Sequence, residues 1–204
     1  LVAATTANQA RITAAQAEKI VFTGDQALTT TVTGGKVTAI DASGLRATLD
    51  VTLSGTSGVS IALNALAAHA VALGDGADTV RITGLAGTAA KDIDLVTAAT
   101  LAASAIQVTG FASGTDAIRL TSANPATKAT PGSGELASIA ASSSLLTAAT
   151  LAATTAGANT AIAFRYGADT YILVNDGAAA LGENDSLVKL TGVTALADAS
   201  WAVA

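Results

Sequence analysis

Apolar and polar positions alternate in short runs along most of the chain. Thr30-Thr31-Val32-Thr33, Lys36-Val37-Thr38-Ala39-Ile40 and Thr48-Leu49-Asp50-Val51-Thr52-Leu53 follow one another, the last alternating cleanly, and Val59, Ile61 and Leu63 continue the pattern. A period of two predicts strands with one face in a core and one in solvent. Glycines punctuate the runs. Gly24, Gly34, Gly44 and Gly55 fall ten, ten and eleven residues apart, and Gly74 and Gly84 are again ten apart. The expected class is mainly β: a glycine-turn β-solenoid or roll, or a sandwich of short strands, with Ala-rich helical segments. The Thr and Ala richness favours the solenoid, because like residues can stack in ladders between successive turns.

Other periodicities predict helices. Thr5 to Lys19 is rich in helix formers and has Thr5 or Thr6 as a cap, so residues 1–20 are expected to form a helical cap over the end of the strands. Residues 21–124 form the solenoid-like or roll-like region. Pro125, Pro131, Gly132, Ser133 and Gly134 mark 125–134 as a linker. Residues 135–204 then read as a helix, Glu135 to Leu146, with Leu136, Ile139 and Leu146 on one side, followed by a β-hairpin module. The hairpin runs from Ala161 to Val174 and turns at Gly167-Ala168-Asp169, and Leu187 to Leu190 adds a third strand.

Composition narrows the functional classes. The chain has 204 residues, enough for a sizeable core, and is 50% hydrophobic with 12% charged residues. Aromatics are only 3%, so the core is expected to use Ala, Val, Leu and Ile. The formal charge is −5. No basic stripe is present, which argues against nucleic acid as a partner. Apolar runs are interrupted well before the roughly 18 residues of a membrane-spanning helix, so no transmembrane segment is expected. Cysteine is absent, which removes disulfides and thiolate metal sites. Residue 1 is Leu, so the chain reads as processed or as a fragment of something longer.

Repeats add a second layer. Asp78-Thr79-Val80-Arg81-Ile82-Thr83 matches Asp116-Ala117-Ile118-Arg119-Leu120-Thr121, and Asp185 to Thr191 is a looser echo. Leu95 to Ser104 recurs, in closely similar form, as Leu145 to Thr154, and each copy leads into a strand.

The first of these hexapeptides follows Leu73-Gly74-Asp75-Gly76-Ala77, a glycine–aspartate turn. Together they read Gly-x-Gly-x-Asp-x-Val, which resembles one copy of the calcium-binding nonapeptide of RTX proteins, a family secreted by bacterial type I systems. Leu73 stands where that repeat has a further Gly. The copy is single, whereas the family places calcium between turns of successive repeats, so one copy supplies half a site. Gln107 to Phe111 with Gly114 to Leu120 resembles the segment that ends the RTX region. The C-terminal hairpin, the turn Asn175-Asp176-Gly177 and the strand Leu187-Val188-Lys189-Leu190-Thr191-Gly192-Val193 resemble the closing module of type I-secreted RTX-like and S-layer proteins. For the tail ending Trp201-Ala202-Val203-Ala204 the resemblance implies an uncleaved export signal; a strand end packing Trp201 into the core is the other reading.

Candidate chemistry is sparse. His69 is the only histidine, so His-rich zinc sites and a serine triad lack partners, and it reads as a buried or surface residue. No phosphate-binding or dinucleotide glycine motif precedes a helix. The chain is therefore expected not to be an enzyme. Calcium, Ca2+, is the one expected ion, since hard cations take carboxylate and turn-carbonyl oxygens. Its candidate ligands are Asp75, Asp78 and Asp116, then Asp92 and Asp94; a solvated turn carboxylate is the competing reading for each. Asp169, Asp176 and Asp185 read as turn residues. The expected function is an extracellular structural protein of the bacterial cell surface, self-assembling into a surface layer or filament, stabilised by calcium. Its partners would be further copies of itself and a cell-surface glycan. The alternative is the secretion and calcium-folding tail of a larger type I-secreted adhesin or hydrolase.

Overall fold

A computed structural model describes residues 8–13, 16–55, 57–86, 98–122 and 126–204. The fold is mainly β, with sheets of parallel strands. Its first ten strands are β1 (Asn8–Thr13), β2 (Lys19–Gly24), β3 (Leu28–Thr33), β4 (Ala39–Leu45), β5 (Leu49–Ser54), β6 (Ser60–Asn64), β7 (Ala70–Ala72), β8 (Thr79–Leu85), β9 (Ile106–Thr109) and β10 (Ala117–Ser122). Helix α1 (Ala98–Ser104) lies between β8 and β9. After β10 come β11 (Thr127–Lys128), α2 (Ser133–Ala140), α3 (Leu145–Ala156), β12 (Thr160–Tyr166), β13 (Asp169–Val174), β14 (Ser186–Leu190) and β15 (Trp201–Val203).

Successive strands go to opposite sheets. The first sheet runs β1-β3-β5-β7-β9-β14-β13-β12-β11 and the second β15-β10-β8-β6-β4-β2. Asn8 pairs with Leu28, Leu28 with Leu49 and Asp50 with Ala70, so the chain returns to the same sheet after 20 or 21 residues. The ten-residue glycine spacing therefore marks half of a circuit. Parallel, in-register pairing aligns like residues. Ile20, Ile40, Ile61, Val80, Ile118 and Trp201 form one row across the second sheet. Thr30, Val51, Val71, Val108 and Leu190 form a row across the first. These rows face each other in one apolar core, to which the sole tryptophan, Trp201, belongs. Small and β-branched side chains suit such a thin interior, which explains how so few aromatics suffice.

The outer face of the first sheet changes character along its width. Phe164 pairs with Tyr171, Tyr171 with Lys189, Lys189 with Gln107, Gln107 with Ala70 and Ala70 with Asp50. At the hairpin end this face is apolar and covered by helices. Ile162, Phe164, Tyr171, Leu173 and Leu187 pack with Leu101, Ile139 and the alanines 148, 149, 152 and 153 in a second core. The Phe164 and Tyr171 rings stack with centroids 5.7 Å apart. Helix α3 is capped by Ser144, whose hydroxyl accepts the Thr147 amide at 3.1 Å, and it ends at Gly157 with φ 86°. Over its described residues, 98–104 and 145–154, the repeat falls in α1 and α3, each leading into a strand of this sheet.

Four expectations are corrected or refined. The N-terminal stretch is not a helix over its described part: Asn8–Thr13 is strand β1. Its alanines favour a helix locally, but Ala10 and Ile12 extend the ladders of Thr30 and Val32, and ladder pairing outweighs weak helix propensity. The helix expected over Glu135 to Leu146 is two helices, α2 and α3, broken at 141–144 where Ser144 caps the second. The Pro/Gly stretch carries β11, which pairs with β12. The C-terminal stretch contributes β14 and β15, which continue the two sheets beside β9 and β10. The hairpin and third strand form as expected, in antiparallel register. No helix among the described residues is long and apolar enough to cross a membrane.

Candidate functional site

The turn 73–78 joins β7 to β8. Asp75 is exposed at its tip, and its amide donates to the Gly55 carbonyl at 3.1 Å. Gly76 adopts φ 111°, a conformation that residues with a Cβ resist. Gly74 is required for a different reason: a Cβ there would lie 2.7 Å from the Gly55 carbonyl oxygen. The glycines thus let successive circuits approach backbone to backbone.

Asp78 and Asp116 each stand one residue before a strand of the second sheet, and both are buried. Their neighbour in the preceding circuit is Val59. The Thr79 amide donates to Val59 O and the Ala117 amide to Asp78 O, so Val59, Asp78 and Asp116 stack in one column. Their own amides are satisfied from the side. Asp78 Oδ1 accepts the Val59 amide at 2.7 Å, and Asp116 Oδ1 accepts the Asp78 amide at 2.8 Å. Asp116 Oδ2 accepts the Ala112 amide at 2.7 Å. Each carboxylate answers a buried donor that the parallel ladder leaves without a partner.

His69 plays the same part in the first sheet. It precedes β7, is 1% exposed, and its Nδ1 accepts the Leu49 amide at 3.0 Å. The accepting nitrogen is unprotonated, so the proton sits on Nε2, which is buried without a hydrogen-bond partner. Burial lowers the His69 pKa to about 4; the Asn64 carbonyl pulls weakly the other way without reaching hydrogen-bond geometry. This histidine is a neutral amide cap, buried from solvent and with no acid to pair with among the described residues. Its role depends on a twenty-residue register that the local sequence does not display.

Of the expected calcium ligands, Asp92 and Asp94 lie outside the described residues. Asp116 has both oxygens engaged by amides. Asp78 Oδ2 is buried and has no partner. Burial pushes the Asp78 carboxyl up, and the charges of Asp116 and Asp75 push in the same direction. A cavity of about 20 Å³, room for one water, lies beside Asp78, lined also by Gly34, Ser57, Val59 and Gly74. The free carboxylate oxygens are those of Asp75 and one of Asp78, fewer than the six to eight oxygens calcium takes. Among the described residues no three His, Cys, Asp or Glu side chains converge on a point where a metal would sit.

The remaining acids tie turns. Asp185 accepts the Asp176 amide at 2.8 Å and the Gly182 amide at 2.7 Å, and Asp176 accepts the Ala178 amide. Asp169 accepts the Gly192 amide at 2.8 Å and pairs with Lys189 at 3.0 Å. Burial alone would raise the Asp169 carboxyl, but these two partners hold it below its ordinary range.

The two matching hexapeptides lie side by side. Val80 faces Ile118, Arg81 faces Arg119 and Ile82 faces Leu120 on adjacent parallel strands. The aliphatic pairs enter the core and the arginine pair faces out. The repeat itself carried this signal, since matching hexapeptides on neighbouring strands of the sheet fall into register. Compared with known protein families and with curated proteins, the chain matches none.

Proposed function

We propose that the chain is a non-enzymatic structural protein of the bacterial cell exterior, a two-sheet β-solenoid that self-associates into a surface layer or filament. The observation that carries this reading is the difference between the two ends of the stack. At one end β1 and β2 are edge strands side by side, each paired on one side only among the described residues. Val21 on β2 is 57% exposed there. At the other end Lys128 lies 4.1 Å over the Trp201 ring and donates to the Asp198 and Trp201 carbonyls, covering β15. An uncovered strand edge with an apolar side chain is a template for another chain. The terminal strands at that end, β11 and β15, are only two and three residues long, which blunts them as templates.

Calcium enters the proposal as a bridge between copies. Asp75, exposed at the turn tip, supplies part of an oxygen shell, and a neighbouring copy would complete it. The resemblance to RTX-like and S-layer proteins supports the ion and the extracellular location. A second reading is favoured by the parallel pairing, which continues out to β1 and β2: the edge would be covered by a further circuit of a longer secreted polypeptide, with this chain as its folding tail.

Negative-stain electron microscopy of the purified protein, with calcium and with excess chelator, tests the reading. Sheets or fibres that dissolve in chelator are expected. Assembly indifferent to chelator removes calcium from the proposal. Dispersed particles of the wild-type protein in both conditions would overturn self-association in favour of the tail, whereas an assembly that Val21→Lys disperses would support the β1 and β2 edge as its contact.

A further inference from the structure

The arginine pair has no use in the reading above. Arg81 and Arg119 face each other across adjacent strands, whose backbones are about 4.8 Å apart. Arg81 is exposed and Arg119 half-buried. Like charges placed directly opposite in a sheet destabilise it. In a chain of net charge −5, acids to relieve them are plentiful, yet neither arginine has an ion pair among the described residues. Arg119 spends one N–H on its neighbouring Ile118 carbonyl at 3.3 Å, and the rest of both forks is free.

The surroundings are cleared for a ligand. On the same row, Ala62 flanks Arg81 and Ala202 flanks Arg119. The next residue beyond Ala62 is Asp41, and Lys19 holds it at 3.0 Å. Thr79 and Thr83 lie two residues either side of Arg81 on the same face, and Thr121 lies two beyond Arg119. The result is two guanidinium forks over a floor of methyl groups, with hydroxyls at the ends.

We propose that Arg81 and Arg119 form a binding site for the phosphate or sulfate groups of an anionic polysaccharide. One arginine fork already satisfies the two oxygens of a carboxylate. Two forks at strand spacing match an oxyanion with more oxygens to share, which phosphate and sulfate esters have. The chain's own acids are carboxylates, so such an ester points to a partner other than a second copy. The alanine floor accepts the C–H face of a sugar ring, and the threonines offer hydrogen bonds to its hydroxyls. The proposal stands whether or not the protein self-assembles.

The test is calorimetric titration of the full chain with dextran sulfate, unmodified dextran and the polycarboxylate alginate. Dextran sulfate is expected to bind in a salt-sensitive manner, unmodified dextran not at all, and alginate more weakly. Arg81→Ala with Arg119→Ala should weaken dextran sulfate binding at least about tenfold, and Arg81→Lys with Arg119→Lys should restore only part of it, since charge returns without the fork. Both double variants should fold, because the side chains sit on the outer face; thermal melting followed by circular dichroism checks this. Equal binding by the alanine variant overturns the site. Equal binding of alginate overturns the preference for the ester. Loss of self-association in the alanine variant, with no dextran sulfate binding by the wild type, overturns the polysaccharide and assigns the pair to contacts between copies.

Discussion

The Asp116 carboxylate accepts the Asp78 amide at 2.8 Å, and the Asp78 carboxylate accepts the Val59 amide at 2.7 Å. Each circuit of the second sheet thus hands its unsatisfied donor to a side chain of the next. Asp116→Ala removes the acceptor for both the Asp78 and Ala112 amides and should destabilise the fold by about 2–4 kcal/mol. Asp116→Asn keeps one accepting oxygen and should lose about half as much. Urea denaturation midpoints of the two variants separate these outcomes; equal, negligible losses would show that water reaches the amides.

His69 makes stability depend on pH. Its folded pKa is about 4, below the ordinary 6.5. As pH falls below 6.5 the unfolded chain takes up a proton that the folded chain refuses. Stability from this residue is therefore full above pH 6.5 and is lost progressively down to about pH 4, by about 3 kcal/mol in all. Asp78 acts with the opposite sign: its raised folded pKa means that it disfavours folding less as pH falls through that value. Urea midpoints across pH 4 to 7 should slope upward with pH in the wild type, more steeply in Asp78→Asn, and slope downward in His69→Gln, where the Asp78 contribution remains.

Two glycine substitutions should move stability in opposite directions. Gly74→Ala places a methyl group 2.7 Å from the Gly55 carbonyl oxygen, where only backbone movement relieves the clash. It should lower the melting temperature and shift the amide resonances of 55–58. Gly134 lies inside α2, has a negative φ and open space around it. Gly134→Ala should stabilise the protein by about 0.5–1 kcal/mol through helix propensity and a stiffer unfolded chain.

Ile61 sits between Ile40 and Val80 in the longest apolar row and is fully buried. Ile61→Ala should cost about 2–5 kcal/mol. Hydrogen exchange should accelerate in β4 and β8 as well as β6, since the row packs as a unit. A loss confined to β6 would mean that each circuit is stable on its own.

Much of the fold was readable in the residues because its governing signal is local. The alternation at Leu49, Val51 and Leu53 and the ten-residue glycine rhythm each need only a short window. The hairpin at 161–174 was equally legible, since its turn and both strands are contiguous. What escaped depended on register. Nothing near Ala10 and Ile12 reveals that they extend the ladders of Thr30 and Val32, so local helix propensity misled there. Nothing near His69 reveals that Leu49, twenty residues back, will need its nitrogen. Among the acids, composition could flag Asp78 and Asp116 as oxygen donors, but only the stacked turns reveal that amide hydrogens take three of their four oxygens.

The circuits also sort the chain's corners into two kinds. Passing from the first sheet to the second, the connections 34–38, 55–59, 73–78 and 110–116 are short and of similar length, and 191–200 is somewhat longer. Passing back, the chain needs only 25–27 or 46–48, yet at the same corner it accommodates 86–105 with α1, and 123–185 with α2, α3 and the hairpin, while β9 and β14 still pair in register. One edge of the stack is therefore a splice site. Whole folded units can be spliced in there without disturbing the repeat, so the connection at 46–48 is the place to graft a foreign domain for display.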